Sequence, residues 1–413
     1  MLVEERCPHL FSARPVFMSF EQVAQMAELV NAVEFVVGLP AYREFVLRSS
    51  HAIASHDPRG AKGVFFGYDF HLEGDNCGLI EINTNAGGAM LNAVAARAHH
   101  ACCLDDERLA IAENMSIAFE DSIVAMFLEE WRLTGAERPL ETIAIVDRKP
   151  QDQYLYAEFV LFQRLFQRHG FNAVIADPCE LTFDGGAVMH GDTRIDLVYN
   201  RLTDFMLEEP ESAALRAAYL ANAVVLTPHP QAHALYANKR NLALLSDDRV
   251  LQDFGVPVVI RETLMKLILP TEVVETVNAE RLWQERRHLF FKPAAGYGGR
   301  AAYRGEKLTK RVWQEILAGD YIAQALMAPG TRAAGRQDSP ETLKFDIRCY
   351  AYNGKVQWTA ARLYQGQMTN FRTLWGGFAP VYPVADAAGN DGAPGVPVSA
   401  FSGLSACCAK NCI

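Results

Sequence analysis

The stretch Gly63–Asn83, GVFFGYDFHLEGDNCGLIEIN, constrains the fold more than any other. Two apolar-patterned runs, Gly63–Phe70 and Cys77–Ile82, flank the turn-forming cluster Glu73-Gly74-Asp75-Asn76. That combination is the signature of a β-hairpin. A bulge-free hairpin symmetric about position 75 sets Asp69 opposite Glu81, His71 opposite Leu79 and Gly67 opposite Asn83. The two carboxylates then face each other at roughly 5 Å, with Asn83 on the same face because strand side chains alternate. Opposed like charges destabilise a hairpin unless something positive lies between them. Two carboxylates and one amide form an all-oxygen set suited to a hard cation such as Mg2+. The alternative is a solvated acidic edge, against which Ile80 and Ile82 argue for a packed strand.

With 413 residues the chain is too long for one core, and two or three domains are expected. Half of the residues are hydrophobic and mean hydropathy is −0.02, as in ordinary soluble proteins. A net charge of −10 argues against general affinity for nucleic acid or anionic membranes. No apolar run approaches the roughly 20 residues that span a bilayer, and MLVEERCPHLFSARP has no signal-peptide core. Scattered cysteines, with Cys102-Cys103 adjacent and Cys407, Cys408 and Cys412 crowding the tail, suit reduced thiols in cytoplasm.

Four regions are expected. Residues 1–138 are largely helical around the hairpin, with FEQVAQMAELVNAVEFVVG at helical spacing. Residues 139–235 alternate strand and helix (ETIAIVD, QYLYAEFVLFQRLFQRHG, FNAVIAD, IDLVYNR), which predicts a parallel α/β unit. Residues 236–385 are mixed strand and helix, and 386–413, rich in Ala, Gly and Pro, read as a disordered tail.

A second feature is the loop in FFKPAAGYGGR. Lys292 ends a strand, and Gly296, Gly298, Gly299 and Arg300 follow. Glycines let backbone N–H groups close on phosphate oxygens, while Lys292 and Arg300 bring positive charge. The spacing matches neither the P-loop nor the GxGxxG pattern, so a plain hairpin turn is the alternative. In LKFDIRCY, alternation puts Lys344, Asp346 and Arg348 on one face and Phe345 and Ile347 on the other. The next run adds Arg362, Asn370 and Arg372, so a strand pair presents several cations as an anion-binding wall. Gln324 can serve a purine edge, and Lys239, where a helix begins, can reach phosphate; both also read as ordinary surface residues. His71 and His99-His100 read as structural, and no nucleophile-elbow pattern occurs.

Together these stretches resemble the circularly permuted ATP-grasp ligases, namely the synthetase domain of glutathionylspermidine synthase and, more distantly, eukaryotic glutathione synthetase. The segment GYDFHLEGDNCGLIEINTN is similar to the one in which an aspartate and Glu-x-Asn hold the metal ions. The resemblance therefore implies Asp69, Glu81 and Asn83 as Mg2+ ligands. It implies Lys239 from NKRNLALL, and Lys292 with the loop Gly296, Gly298, Gly299 and Arg300, on the ATP phosphates. Gln324 from YIAQ falls in the adenine pocket, and Arg362 faces the transferred phosphoryl group; Arg348, from the cationic strand face, is read as catalytic beside it. Glu81 precedes Lys292 by 211 residues (292 − 81), the reverse of the ordinary ATP-grasp order and the mark of the permuted subgroup. The implied fold class is α/β (α+β), a circularly permuted ATP-grasp fold with a Rossmann-like substrate domain. The implied activity is an ATP- and Mg2+-dependent carboxylate–amine ligase acting through an acyl phosphate on small molecules. A small-molecule kinase using the same ATP site and a non-catalytic nucleotide-binding regulator are the rival readings. Where the glutathionylspermidine enzymes have an arginine two residues before the metal-binding aspartate, this chain has Gly67, so their substrate is not carried over.

Overall fold

The computed structural model describes residues 6–102, 107–296, 301–336 and 339–384. The expected tail 386–413 and its cysteines lie outside the described residues. Strand β1 (Val16–Ser19) ends in a capping box, in which the Ser19 hydroxyl accepts from Gln22 N and Gln22 Oε1 accepts from Ser19 N, both at 3.1 Å. The helix that starts there, Phe20–Gly38, buries Met26, Leu29, Val30, Val33 and Val37, the stripe read from the sequence. Next comes the hairpin of β2 (Phe66–Glu73) and β3 (Asn76–Asn83), followed by the helices Ala89–Cys102 and Glu107–Leu133.

The middle of the chain contributes β4 (Thr142–Val146), the helix Tyr156–Arg168 and β5 (Asn172–Ala176). A small meander of β6 (Leu181–Phe183), β7 (Val188–His190) and β8 (Thr193–Ile195) leads to β9 (Leu197–Asn200) and β10 (Val225–Thr227). Four of these strands form a wholly parallel sheet in the order β10-β9-β4-β5. The last third supplies β11 (Thr271–Val273), β12 (Leu289–Pro293), β13 (Tyr303–Arg304) and β14 (Tyr321–Ala325), an antiparallel sheet ordered β11-β14-β12-β13. It ends with β15 (Gly330–Arg336), β16 (Ser339–Tyr352), β17 (Lys355–Tyr364) and β18 (Gly377–Val384).

The largest sheet draws on both ends of the chain. Its order is β1-β18-β17-β16-β2-β3, with β15 along the first half of β16, and only β1 and β18 pair in parallel. Alternation divides its side chains cleanly. One face turns Tyr68, Phe70, Ile347, Cys349, Ala361 and Leu363 against the helices Phe20–Gly38 and Val258–Leu267. The other face is split along its length. Tyr350, Tyr352, Trp358 and Ala360 pack with Met90, Phe119, Phe127 and Phe162, where each large side chain contributes about 1.5–3 kcal/mol by leaving water. The rest of that face is charged. Among the described residues no single helix is long and apolar enough to cross a membrane.

Candidate active site

The hairpin delivers its carboxylates as expected, by a different route. Asp69 pairs with Glu81 and Gly67 with Asn83. Yet the turn is tighter than the bulge-free reading required: Glu73 pairs with Asn76, and Gly74 takes a left-handed φ of +59°. A bulge between the Asp69 and Phe70 pairings makes up the difference, since Phe70 pairs with Leu79 and leaves Ile80 over. His71 consequently lies opposite Gly78, not Leu79. The bulged residue also gains a partner, because the Ile80 carbonyl accepts from Lys292 Nζ at 2.8 Å.

Across the large sheet, Asp69 faces Arg348 on β16, and Asp346 on β16 faces Arg362 on β17. Arg348 Nε and Nη2 donate to Asp69 Oδ1 and Oδ2, both at 2.6 Å, as a two-point fork. Arg362 Nη2 donates to Asp69 Oδ2 at 2.9 Å, and its Nε donates to Asp346 Oδ1 at 2.6 Å. Thr369 Oγ1 donates to Asp346 Oδ2. Asn83 Nδ2 bridges Asp69 Oδ2 and Glu81 Oε1, each at 3.1 Å. Burial alone would lower the Arg362 guanidinium, but Asp346 and Asp69 outweigh it and hold the group above its ordinary value.

The facing wall comes from the smaller antiparallel sheet and the segment after it. Lys292 Nζ donates to Ile80 O and to Gln324 Oε1, both at 2.8 Å, while Gln324 Nε2 donates to Thr271 Oγ1 at 3.1 Å. Burial depresses the Lys292 ammonium to about 8 despite the pull of Glu81. Lys239 Nζ donates to Gly296 O at 2.9 Å. Burial pushes the Glu81 carboxyl up, but Lys239 and Lys292 outweigh burial and hold it well below the usual carboxylate range.

Between the walls lies a cavity of about 390 Å³. Of the residues expected from sequence, Glu81, Asn83, Lys239, Lys292, Gly296, Gln324, Arg348 and Arg362 line it. Apolar Ile80, Leu269, Phe290, Leu326 and Met327 line it too. Asp69 does not: it has no exposed surface and sits behind the two guanidiniums. Gln324 is buried with both ends of its amide engaged, so it braces Lys292 within the cavity wall. Gly298, Gly299 and Arg300 lie outside the described residues.

Two other residues of the expected cationic wall stand apart. Asn370 shapes a turn, donating to Gln365 O at 2.9 Å and accepting from Arg372 N at 3.0 Å, and Arg372 is exposed. His71 lines the cavity with Nδ1 2.8 Å from Met327 O, and burial lowers its pKa, which fits the structural reading. Sequence reasoning missed Thr369, whose loop carries no motif. It also left out Asp346, although its alternation with Lys344 and Arg348 marked the right face.

The expected metal set fits only in part. Asp69 accepts four N–H groups: two from Arg348, one from Arg362 and one from Asn83. Among the described residues no group of three His, Cys, Asp or Glu side chains is arranged to hold a metal ion. Glu81 and Asn83 are the members of the expected trio that face the cavity.

No protein-family model and no curated protein sequence matches the chain. Solved structures do. A glutathione synthetase-like effector from Globodera pallida superposes with a TM-score of 0.59 at 11% identity, covering 91% of this chain and 90% of that one. A putative gamma-glutamylcysteine synthetase from Methylobacillus flagellatus covers 95% of both chains at 11% identity, with a TM-score of 0.44. The ATP-grasp ligase PsnB, solved with a minimal precursor, Mg and ADP, covers 66% of this chain at 14% identity, with a TM-score of 0.31. The fold is therefore like that of the glutathione synthetase-like effector.

Proposed function

We propose that this protein is an ATP- and Mg2+-dependent ligase that joins a small-molecule carboxylate to an amine. One observation carries the reading. Four cations from distant parts of the chain, Lys239, Lys292, Arg348 and Arg362, converge on one cavity that apolar side chains also line. Such a cavity suits a polyphosphate joined to an aromatic base. In this reading the chain order is a circular permutation of the ATP-grasp order. The parallel sheet β10-β9-β4-β5 is a Rossmann-like region that helps to hold the acceptor, and the protein works in the cytoplasm.

Lys292, Lys239 and the glycine segment from Gly296 onward hold the phosphates. Arg348 and Arg362 meet the equatorial oxygens of the transferred group, where fixed positive charge lowers the barrier through positioning and electrostatics. Mg2+ held by Glu81 and Asn83 would shield the phosphate charge. A substrate carboxylate oxygen displaces ADP at the γ-phosphorus, giving an acyl phosphate. An amine then attacks the acyl carbon, phosphate leaves, and an amide remains.

A screen of amino acids and polyamines for ADP release, with mass spectrometry of the products, tests this. Release that needs both a carboxylate and an amine, with an amide formed, is expected. ADP with a phosphorylated single substrate makes the protein a kinase, and nucleotide binding without turnover makes it a regulator; either result removes the ligase reading.

A further inference from the structure

We infer that Asp69 is a positioning residue that holds Arg348 and Arg362 over the cavity, and that the cleft takes a single protein-bound divalent cation, on Glu81. This rests on the nucleotide site proposed above and departs from the two-carboxylate metal set that the sequence resemblance implied.

The carboxylates of the site differ in what already holds them. Asp69 is 0% exposed, and its two oxygens receive four N–H donors. Turning it toward a metal would strand the Arg348 guanidinium, whose side chain is only 10% exposed, and take from Arg362 one of its two carboxylate partners. Asp346 is tied to Arg362 and Thr369. Among the described residues, Glu81 is the one of the three that no guanidinium pairs with. Among the described residues its hydrogen-bond partner is Asn83, and no ion pair among them reaches it. The lysines that attract it bond carbonyl and amide oxygens instead.

Gly67 supplies a second, independent sign. A Cβ there would lie 2.7 Å from Ala86 Cβ and 3.1 Å from Arg348 Nε. Its bare backbone leaves the space in which Arg348 lies across β2 and forks onto Asp69.

The test counts Mn2+ by electron paramagnetic resonance on the full chain saturated with the unreactive ATP analogue AMP-PNP. One Mn2+ per chain is expected, and two overturn the inference without variants. D69N should weaken AMP-PNP binding about tenfold or more, because the arginines lose their anchor. E81Q should weaken Mn2+ binding at least about tenfold more than D69N does, because it removes the ligand itself. A merely structural Asp69 would lower both affinities together. Equal Mn2+ losses in the two variants overturn the inference. Failure of the wild-type chain to bind AMP-PNP overturns this inference and the proposed function together, whereas two Mn2+ beside tightly bound AMP-PNP overturns this inference alone.

Discussion

The two walls of the cleft hold their cations in opposite ways. On the large sheet, Arg348 and Arg362 are clamped by Asp69 and Asp346 at 2.6–2.9 Å. Across the cavity, Lys239 and Lys292 bond neutral oxygens among the described residues, those of Gly296, Ile80 and Gln324. The arginines are therefore part of the folded framework and keep their geometry with or without an anion. The lysines keep their charge in reserve for a ligand, and one of them does so at a visible electrostatic cost. Removing a cation should accordingly damage different properties on the two sides.

The sharpest break in that contrast is Arg362→Ala. It strips a partner from two buried carboxylates and should cost about 3–5 kcal/mol of stability, read by urea unfolding. A loss below about 1 kcal/mol, the range of exposed ion pairs, would mean that the arginine wall is not structural. Lys292→Met should act the other way. Losing a charged hydrogen-bond donor of about 1.5–3 kcal/mol corresponds to a fall of roughly 10–100-fold in AMP-PNP affinity by calorimetry. Stability should fall much less than for Arg362→Ala, because the buried ammonium is itself unfavourable.

The same lysine predicts a pH dependence. Its pKa is lowered from 10.5 to about 8 in the folded protein, so its charge disappears as pH rises from 7 to 9. AMP-PNP affinity should decline over that interval, and Lys292→Arg should flatten the decline. The sign for folding is opposite: between about 8 and 10.5 the unfolded chain binds the extra proton, so this group's contribution to stability rises with pH. A flat affinity profile in the wild-type protein would contradict the burial of Lys292.

Glycine substitutions make the smallest changes. Gly67→Ala presses a methyl group against Ala86 and Arg348 and should cost about 1–3 kcal/mol, with lower AMP-PNP affinity. Gly74→Ala meets nothing within 4 Å and is strained only by its φ of +59°, so a loss of about 1–2 kcal/mol with unchanged affinity is expected. Equal effects on affinity would erase the distinction between the site and the remote end of the hairpin.

Local pattern made much of the architecture legible. The helix Phe20–Gly38 was readable from its apolar spacing, and Tyr156–Arg168 closes just before Gly170, whose φ is +85°. The shared face of Lys344, Asp346 and Arg348 followed from alternation alone. The bulge at Ile80 was not legible, because turn residues alone do not distinguish a tight turn plus a bulge from a wider turn without one. Thr369 was hidden for another reason: an isolated threonine in a loop acquires a role only from what folds beside it.

By itself, then, the amino-acid order determined the strands, their inward and outward faces, and the chemical types gathered in each segment, because those depend on neighbours a few residues away. Which carboxylate is consumed by which guanidinium was settled only in three dimensions. Asp69 and Arg348 are separated by 279 residues along the chain. Charge pairing in a buried site responds to ångströms of distance and to competing partners, and neither is written in the spacing of residues.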